Sequence, residues 1–348
     1  MATFTGTLNK NEIYSALYNM ILSQDIFSDR INVPNGLVGK AKSEAGLYGD
    51  TKLYYAYDIT HSTEWKGDEE ASNLLALNRP SAPEVQAITI NNFRMVWITL
   101  DYYLSKRAWS DEGVFGEFTA QMGSLLSKVK RIHEYTTYNA FFGTAEQESE
   151  NVTIADGTTD EKEVMLIAKK IHDLKVTLAD LTRTYNAYGQ ATIYDKAQIK
   201  IVWNSAFLSK LTLVDLPAIF HKDGLIDSGD EMVSTYFGTI NSGATAGDGD
   251  KIRFLTETAL DSTGKTFRFA GEAVPVGTTA EAGNSYTVDD SIICKIYVKL
   301  PPMLSAFEAG TEFNNPRSLT INRYLIWGYN TLEALKAYPL ITLRKKTA

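Results

Sequence analysis

The chain has 348 residues, 44% hydrophobic and 22% charged, enough for one large or two ordinary domains with a buried core and too apolar for general disorder. Its net charge of −8 argues against a generic nucleic-acid binder working by phosphate neutralisation, and no apolar run approaches the roughly twenty residues of a bilayer span. The one cysteine, Cys294, excludes an internal disulfide framework and any all-cysteine metal site.

Residues 1–10 lack the basic end and apolar core of a signal peptide, so a cytosolic protein is expected. Residues 11–27 read as an amphipathic helix with Ile13, Leu17, Met20 and Ile21 on one side. Pro34, Gly36, Gly39, Gly46 and Gly49 then interrupt regular structure, and residues 31–50 are expected as an extended arm outside the compact core. Residues 51–60 alternate loosely and carry Tyr54, Tyr55 and Tyr57, as a strand does. Residues 85–100 form a second extended run, continuously apolar from Met95 to Ile98. The polar stretch 61–83 between them holds Trp65 and the acidic Asp68, Glu69 and Glu70. The pair is expected to be a protruding antiparallel loop, with too few apolar residues to bury both faces without a partner's surface.

The longest periodic stretch is a spine helix over residues 111–142. Phe115, Phe118, Met122, Leu125, Leu126, Val129 and Ile132, then Thr136 and Ala140, fall in steps of three and four down one side. Asp111 stands where an N-cap belongs and Gly143 where a helix stops. Glu112 and Glu117 early, with Lys128, Lys130 and Arg131 late, suit the helix dipole. Residues 145–160 form a polar link, and residues 160–181 a second helix whose buried face is Val164, Ile167, Ala168, Ile171, Leu174 and Leu178. Residues 199–203 are a strand turning at Asn204 and Ser205 into a short helix. Residues 222–291 shift towards Gly, Thr, Ser and Asp and read as a β-rich insertion with short strands at 251–255 and 266–269. Residues 292–300 return to a core strand closed by Pro301 and Pro302, and residues 319–328 and 340–343 are strands around a short turn.

No convincing chemistry accompanies this order. The stretch Ala259 to Thr266 imitates a phosphate-binding loop, but the pattern needs glycine where Ala259 stands and a long helix afterwards, so Asp261 to Gly264 reads as a hairpin turn. His61, His133, His172 and His221 show no metal-ligand spacing. Asp223, Asp227, Asp230, Asp248 and Asp250 lack the alternating oxygens and closing glutamate of a calcium loop and read as solvated turns. Cys294 sits in an apolar run as a buried thiol, no serine lies in a Gly-x-Ser-x-Gly turn, and Asn151-Val-Thr153 matches a glycosylation acceptor that means nothing without secretion. No catalytic, cofactor-binding or metal-binding residue is assigned, no cofactor is expected, and the chain is expected not to be an enzyme. The 19 tyrosines tilt the reading towards contact with other proteins.

An arm, a two-stranded loop over residues 46–98, an aromatic stretch over 99–109, a long spine helix and closing strands form the order on which a resemblance rests. Asn315-Pro316-Arg317 and then Arg323-Tyr-Leu-Ile-Trp327 carry its last part. The chain resembles the major capsid protein of tailed bacteriophages, with the Hong Kong 97-type fold, and within that group the capsid proteins of small short-tailed phages. The resemblance implies an α+β fold divided into an N-terminal arm (1–50), an extended loop (51–98), a peripheral domain (99–150 and 303–348) holding the spine helix 111–142, and an axial domain (151–302) carrying the insertion 222–291. It implies a structural subunit that assembles as pentamers and hexamers into an icosahedral or prolate shell around double-stranded DNA, in the virion after assembly in the host bacterial cytoplasm. A separate scaffold protein, a portal and non-specific DNA contact are the implied partners, with Arg30, Lys40 and Lys42 facing DNA and no membrane involved. Gly46 and Gly49 are expected to let the loop swing. No catalytic carboxylate is identifiable beside Lys66, so no covalent cross-link is assigned. An encapsulin-type compartment shell is the alternative on the same fold; a soluble enzyme or sugar-binding protein with its site in the insertion is the alternative from another class.

Overall fold

The computed structural model describes residues 34, 36–60, 62, 77, 79–101, 112–213, 229–240, 266–268, 285–306 and 308–347. The helix expected at 11–27, most of the loop centre at 61–83, the stretch 102–111 and the features expected at 251–265 lie outside the described residues. So do Arg30, His61, Lys66, His221, Asp223, Asp227, Asp248 and Asp250.

The root of the expected arm is built into the body. Helix α1 (Gly36–Ala41) buries Leu37, Val38 and Ala41 against the spine, and strand β1 (Lys42–Gly46) pairs in parallel with residues 303–306. The glycines that suggested an irregular arm serve close packing and a turn instead. A Cβ on Gly46 would stand 2.9 Å from Ile90 Cδ1, and Gly49 has φ +86 with its N–H donated to the Ile90 carbonyl at 2.8 Å. Both glycines are thus fixed in a tight turn closed by the Asp50 carboxylate, which accepts from the Leu47 amide at 2.6 Å. In this conformation the expected swing point is packed and hydrogen-bonded.

Strand β2 (Thr51–Ala56) pairs antiparallel with the first part of β3 (Glu84–Asp101), making a two-stranded stem where the extended loop is expected. The spine helix α2 spans Glu112–Thr144, 33 residues and about 50 Å. Its stripe departs from expectation in two ways. Ile132 is exposed, and the buried face runs through Leu126, Glu134, Thr137, Tyr138 and Phe141. From Thr137 to Phe142 every residue is buried, because this end lies between two sheets and no face remains for solvent. Gly143 is helical, not a stop: a Cβ there would stand 2.6 Å from the Tyr236 carbonyl carbon, so only glycine admits that approach. Lys128, Lys130 and Arg131 lie in mid-helix, and the last turn carries no basic residue.

The link after the spine contains an unexpected strand, β4 (Glu148–Ile154). Helix α3 (Asp160–Ala179) buries all six expected residues, Val164, Ile167, Ala168, Ile171, Leu174 and Leu178. Strand β5 (Lys200–Asn204) leads into α4 (Ser205–Leu213), with Asn204 Oδ1 accepting from the Ala206 amide at 3.1 Å at the turn. Part of the expected insertion is integral to the body: β6 (Gly229–Met232) pairs in parallel with β5, and Phe237 is fully buried. Asp230 accordingly lies in a strand and not in a solvated turn. Strands β7 (Gly238–Ile240), β8 (Thr266–Arg268) and β9 (Ser285–Val288) form a small separate sheet.

Strands β10 (Ile292–Tyr297), β11 (Met303–Ala306), β12 (Ala309–Asn315), β13 (Thr320–Asn330) and β14 (Leu340–Thr347) complete the chain. One sheet runs β1-β11-β13-β3-β2, with β12 also on β13; a second runs β4-β14-β10-β5-β6. The largest core cluster draws on α1, the spine, β13 and the second sheet, so the C-terminal part of the spine joins the two sheets. A second cluster lies between α3 and the second sheet. Pro301 and Pro302 close β10 as expected, and their carbonyls become acceptors for Tyr138 Oη at 2.8 Å and Asn330 Nδ2 at 3.3 Å.

Candidate assembly surfaces

The first surface is the two-stranded stem of β2 and the first part of β3. In an antiparallel pair, residues directly opposite share a face. Leu53 stands opposite Ala87 and Tyr55 opposite Val85; Leu53, Tyr55 and Val85 are exposed, and Tyr57 beyond them is 69% exposed. The alternate residues Tyr54, Gln86, Ile88 and Ile90 turn inward to a third core cluster. The stem therefore buries one face within its own chain and offers an apolar, tyrosine-bearing face outward.

The second surface is the outer face of β12, β13 and β3. Leu325, Trp327 and Tyr329 on β13 pack towards the spine, so Tyr324 and Ile326, at the alternate positions, turn the other way. Opposite Tyr324 stands Trp97, opposite Ile326 stands Met95, and Phe313 of β12 stands opposite Asn322 on the same side. Trp97 is 60% and Phe313 58% exposed, large apolar groups that normally gain about 1.5–3 kcal/mol each on full burial. A register break between Ile90 and Asn92 separates the two surfaces along β3. There Asn91 Oδ1 accepts from Thr331 N at 3.0 Å and Thr331 Oγ1 at 2.8 Å.

The stem is fastened at its far end by residues 182–192. This loop is closed by reciprocal bonds between Thr182 and Thr192, and Asn186 and Gln190 exchange two bonds inside it. Asp58 enters it: Oδ2 accepts from Arg183 Nη1 at 2.8 Å and Oδ1 from the Ala191 amide at 3.0 Å. The Arg183 guanidinium and the Ala191 N–H hold the Asp58 carboxyl below its ordinary range. Gln190 Nε2 donates to the Ala56 carbonyl at 3.2 Å. On the second strand, Gln86 donates to the Ala334 carbonyl and accepts from the Lys336 amide, both at 2.9 Å.

The titratable residues weighed in the sequence fall in structural positions. His133 lies on the spine edge-on to Trp327 and Tyr329, at 5.7 and 5.9 Å between ring centres, and burial with the nearby Arg94 charge lowers its pKa to about 4. His172 is exposed on α3. Cys294 is fully buried and its thiol pKa pushed far up by that burial. Asn151 and Thr153 flank the buried Val152 on β4. Lys40 Nζ meets Asp230 and Lys42 Nζ meets Glu134, each at 2.6 Å, so both lysines have carboxylate partners within the chain. Glu134 is almost fully buried and also faces Lys130 at 3.9 Å, which in turn pairs with Glu308.

Sequence reasoning passed over Lys295, although a lysine inside an apolar strand is a visible signal. It is buried, its pKa is lowered by that burial to about 7, and its Nζ donates to the Ala145 carbonyl at the end of the spine, where a helix dipole favours a cation. The Asp58 fastening, by contrast, had no local signal, since its partners are more than a hundred residues away.

Two solved structures share this architecture. One is the capsid structure of Staphylococcus phage Andhra, at 12% identity and TM-score 0.62 over 99% of this chain and 94% of that chain. Another is a chain from the structure of the head fiber and inner core protein gp22 of native bacteriophage P68, at 12% identity and TM-score 0.60 over 93% and 88%. No curated protein matches the sequence. The family model of the Phi29-like phage major capsid protein matches residues 3–328, nearly the whole chain, and the α+β architecture is the Hong Kong 97-type capsid fold. The chain belongs to the Phi29-like phage major capsid protein family and is a structural subunit of a phage capsid.

Proposed function

We propose that the subunit tiles a closed icosahedral or prolate shell as pentamers and hexamers, enclosing double-stranded DNA. In this reading residues 1–50 are the arm and 51–98 the extended loop that overlies a neighbour. Residues 99–150 and 303–348 are the peripheral domain, and residues 151–302 the axial domain at the capsomer centre, with the small sheet of β7, β8 and β9 as a decoration. A separate scaffold protein and a portal take part in assembly in the host bacterial cytoplasm, and packaged DNA is met only non-specifically. The observation that carries this reading is the pair of apolar faces, Leu53-Tyr55-Tyr57-Val85 and Met95-Trp97-Phe313, in each of which several large exposed apolar side chains stand together on paired strands. A fold this size leaves such aromatic faces open where another protein covers them.

The test is electron microscopy of the full chain alongside size-exclusion chromatography, for wild type and Trp97→Ser. Wild type is expected as shells, tubes or five- and six-membered rings; Trp97→Ser is expected to keep its circular dichroism and to assemble only at concentrations about tenfold higher. A wild-type chain that remains a monomer with its scaffold present overturns the reading.

A further inference from the structure

We propose that Asp58 is the positioning residue of the extended loop: seated in the 182–192 claw, it fixes the direction in which the chain leaves the stem towards the neighbouring subunit. The inference rests on the reading that this loop overlies a neighbour. The expected hinge at Gly46 and Gly49 is packed and hydrogen-bonded, which moves the question of loop direction to the other end of β2. There the last strand residue, Ala56, is held through its carbonyl by Gln190, and two residues later Asp58 is held through both carboxylate oxygens.

The claw is organised independently of the loop it holds. Its ends meet at the Thr182–Thr192 bridge, Tyr185 and Gly189 take left-handed conformations with φ 67 and 62, and Ala187 N donates to the Lys336 carbonyl at 2.9 Å. Tyr185 Oη donates to Glu150 Oε1 at 2.9 Å, and Glu150 pairs with Lys170 of α3 at 2.8 Å. Asp58 is thereby tied to β4 and α3, and Gln86, on the neighbouring strand, to the 334–336 segment that the claw also grips. A single exposed ion pair contributes little stability. Its value here lies in geometry, because Arg183 and the Ala191 amide bind both oxygens and admit one carboxylate orientation.

The test supplies variant full-length chains to a phage whose own capsid gene is disabled, so that its scaffold and portal are present, and counts particles by electron microscopy. Asp58→Ala is expected to leave the melting temperature of the unassembled subunit within about two degrees, to speed hydrogen exchange at the Ala191 amide, and to lower closed shells at least tenfold in favour of open or irregular particles. Asp58→Asn, which keeps an acceptor for the Ala191 amide but turns an NH2 donor towards Arg183, is expected to give a closed-shell yield between those of Asp58→Ala and wild type. Arg183→Gln serves as a second route to the same loosening if Asp58→Ala does not fold. Closed shells at wild-type yield from both Asp58→Ala and Arg183→Gln overturn the proposal. A chain lacking residues 63–76 separates the two levels of inference. If it closes shells normally, the reading of a loop over a neighbour fails; if it does not while Asp58→Ala and Arg183→Gln both do, the positioning role alone fails.

Discussion

His133 carries a titration that the folded chain resists. Its ring is enclosed by Trp327 and Tyr329 and faces Arg94, so the protonated form is disfavoured and the pKa falls from 6.5 to about 4. Between those values the unfolded chain binds more protons than the folded one, so stability rises with pH through this window and is lost as pH falls towards 4. Over the whole window the effect is on the order of 3 kcal/mol. Between pH 6.5 and 5, where ordinary carboxylates remain charged, the melting temperature of the unassembled subunit is expected to fall for wild type and to stay flatter for His133→Gln. Gly143 makes a second prediction with an opposed sign. Alanine is the better helix former by about 1 kcal/mol, yet its methyl would enter the Tyr236 carbonyl. Gly143→Ala is therefore expected to lower stability by about 1–3 kcal/mol, read as a lower denaturant midpoint.

Among the elements, legibility followed how many sides of each are covered. Helix α3 has one buried face against one sheet, and its six core residues stood at helical spacing in the sequence. The spine was legible in length but not in its packing, because from Thr137 to Phe142 it is enclosed between two sheets and the periodic contrast vanishes. Strand β4 reads Glu-Ser-Glu-Asn-Val-Thr-Ile, polar enough to pass for a link; its pairing with β14 supplies the order that its own side chains do not announce. Strand β1 was hidden for a similar reason, being glycine-flanked and held by β11 from more than 250 residues away. The pairing of β2 with the first part of β3 was visible as two extended runs, whereas the Met95–Ile98 run, expected in the same loop, lies on β13 in the body sheet, and the face that Phe313 shares with Trp97 depends on the β12–β13–β3 register and has no counterpart in local sequence.

Across the molecule, the two large sheets are made from segments far apart in the chain, and the strand order could not be read from any one of them. Strand β14 is the extreme case: it lies inside the second sheet, with β4 in parallel on one side and β10 antiparallel on the other. It buries Leu340, Ile341, Thr342 and Leu343. Ending the chain at residue 339 is thus expected to abolish the cooperative unfolding transition of this sheet instead of trimming an edge, as followed by near-ultraviolet circular dichroism.

The same placement sets an order of events during synthesis. β4 is translated nearly two hundred residues before β14, and pairings of such separation are slow to form because a long loop must close first. Until residues 340–347 have left the ribosome, the sheet lacks an interior strand and α3 has an incomplete surface to pack on. The sheet that α3 packs on is therefore closed only after β14 has been made, which makes its completion a late step in folding.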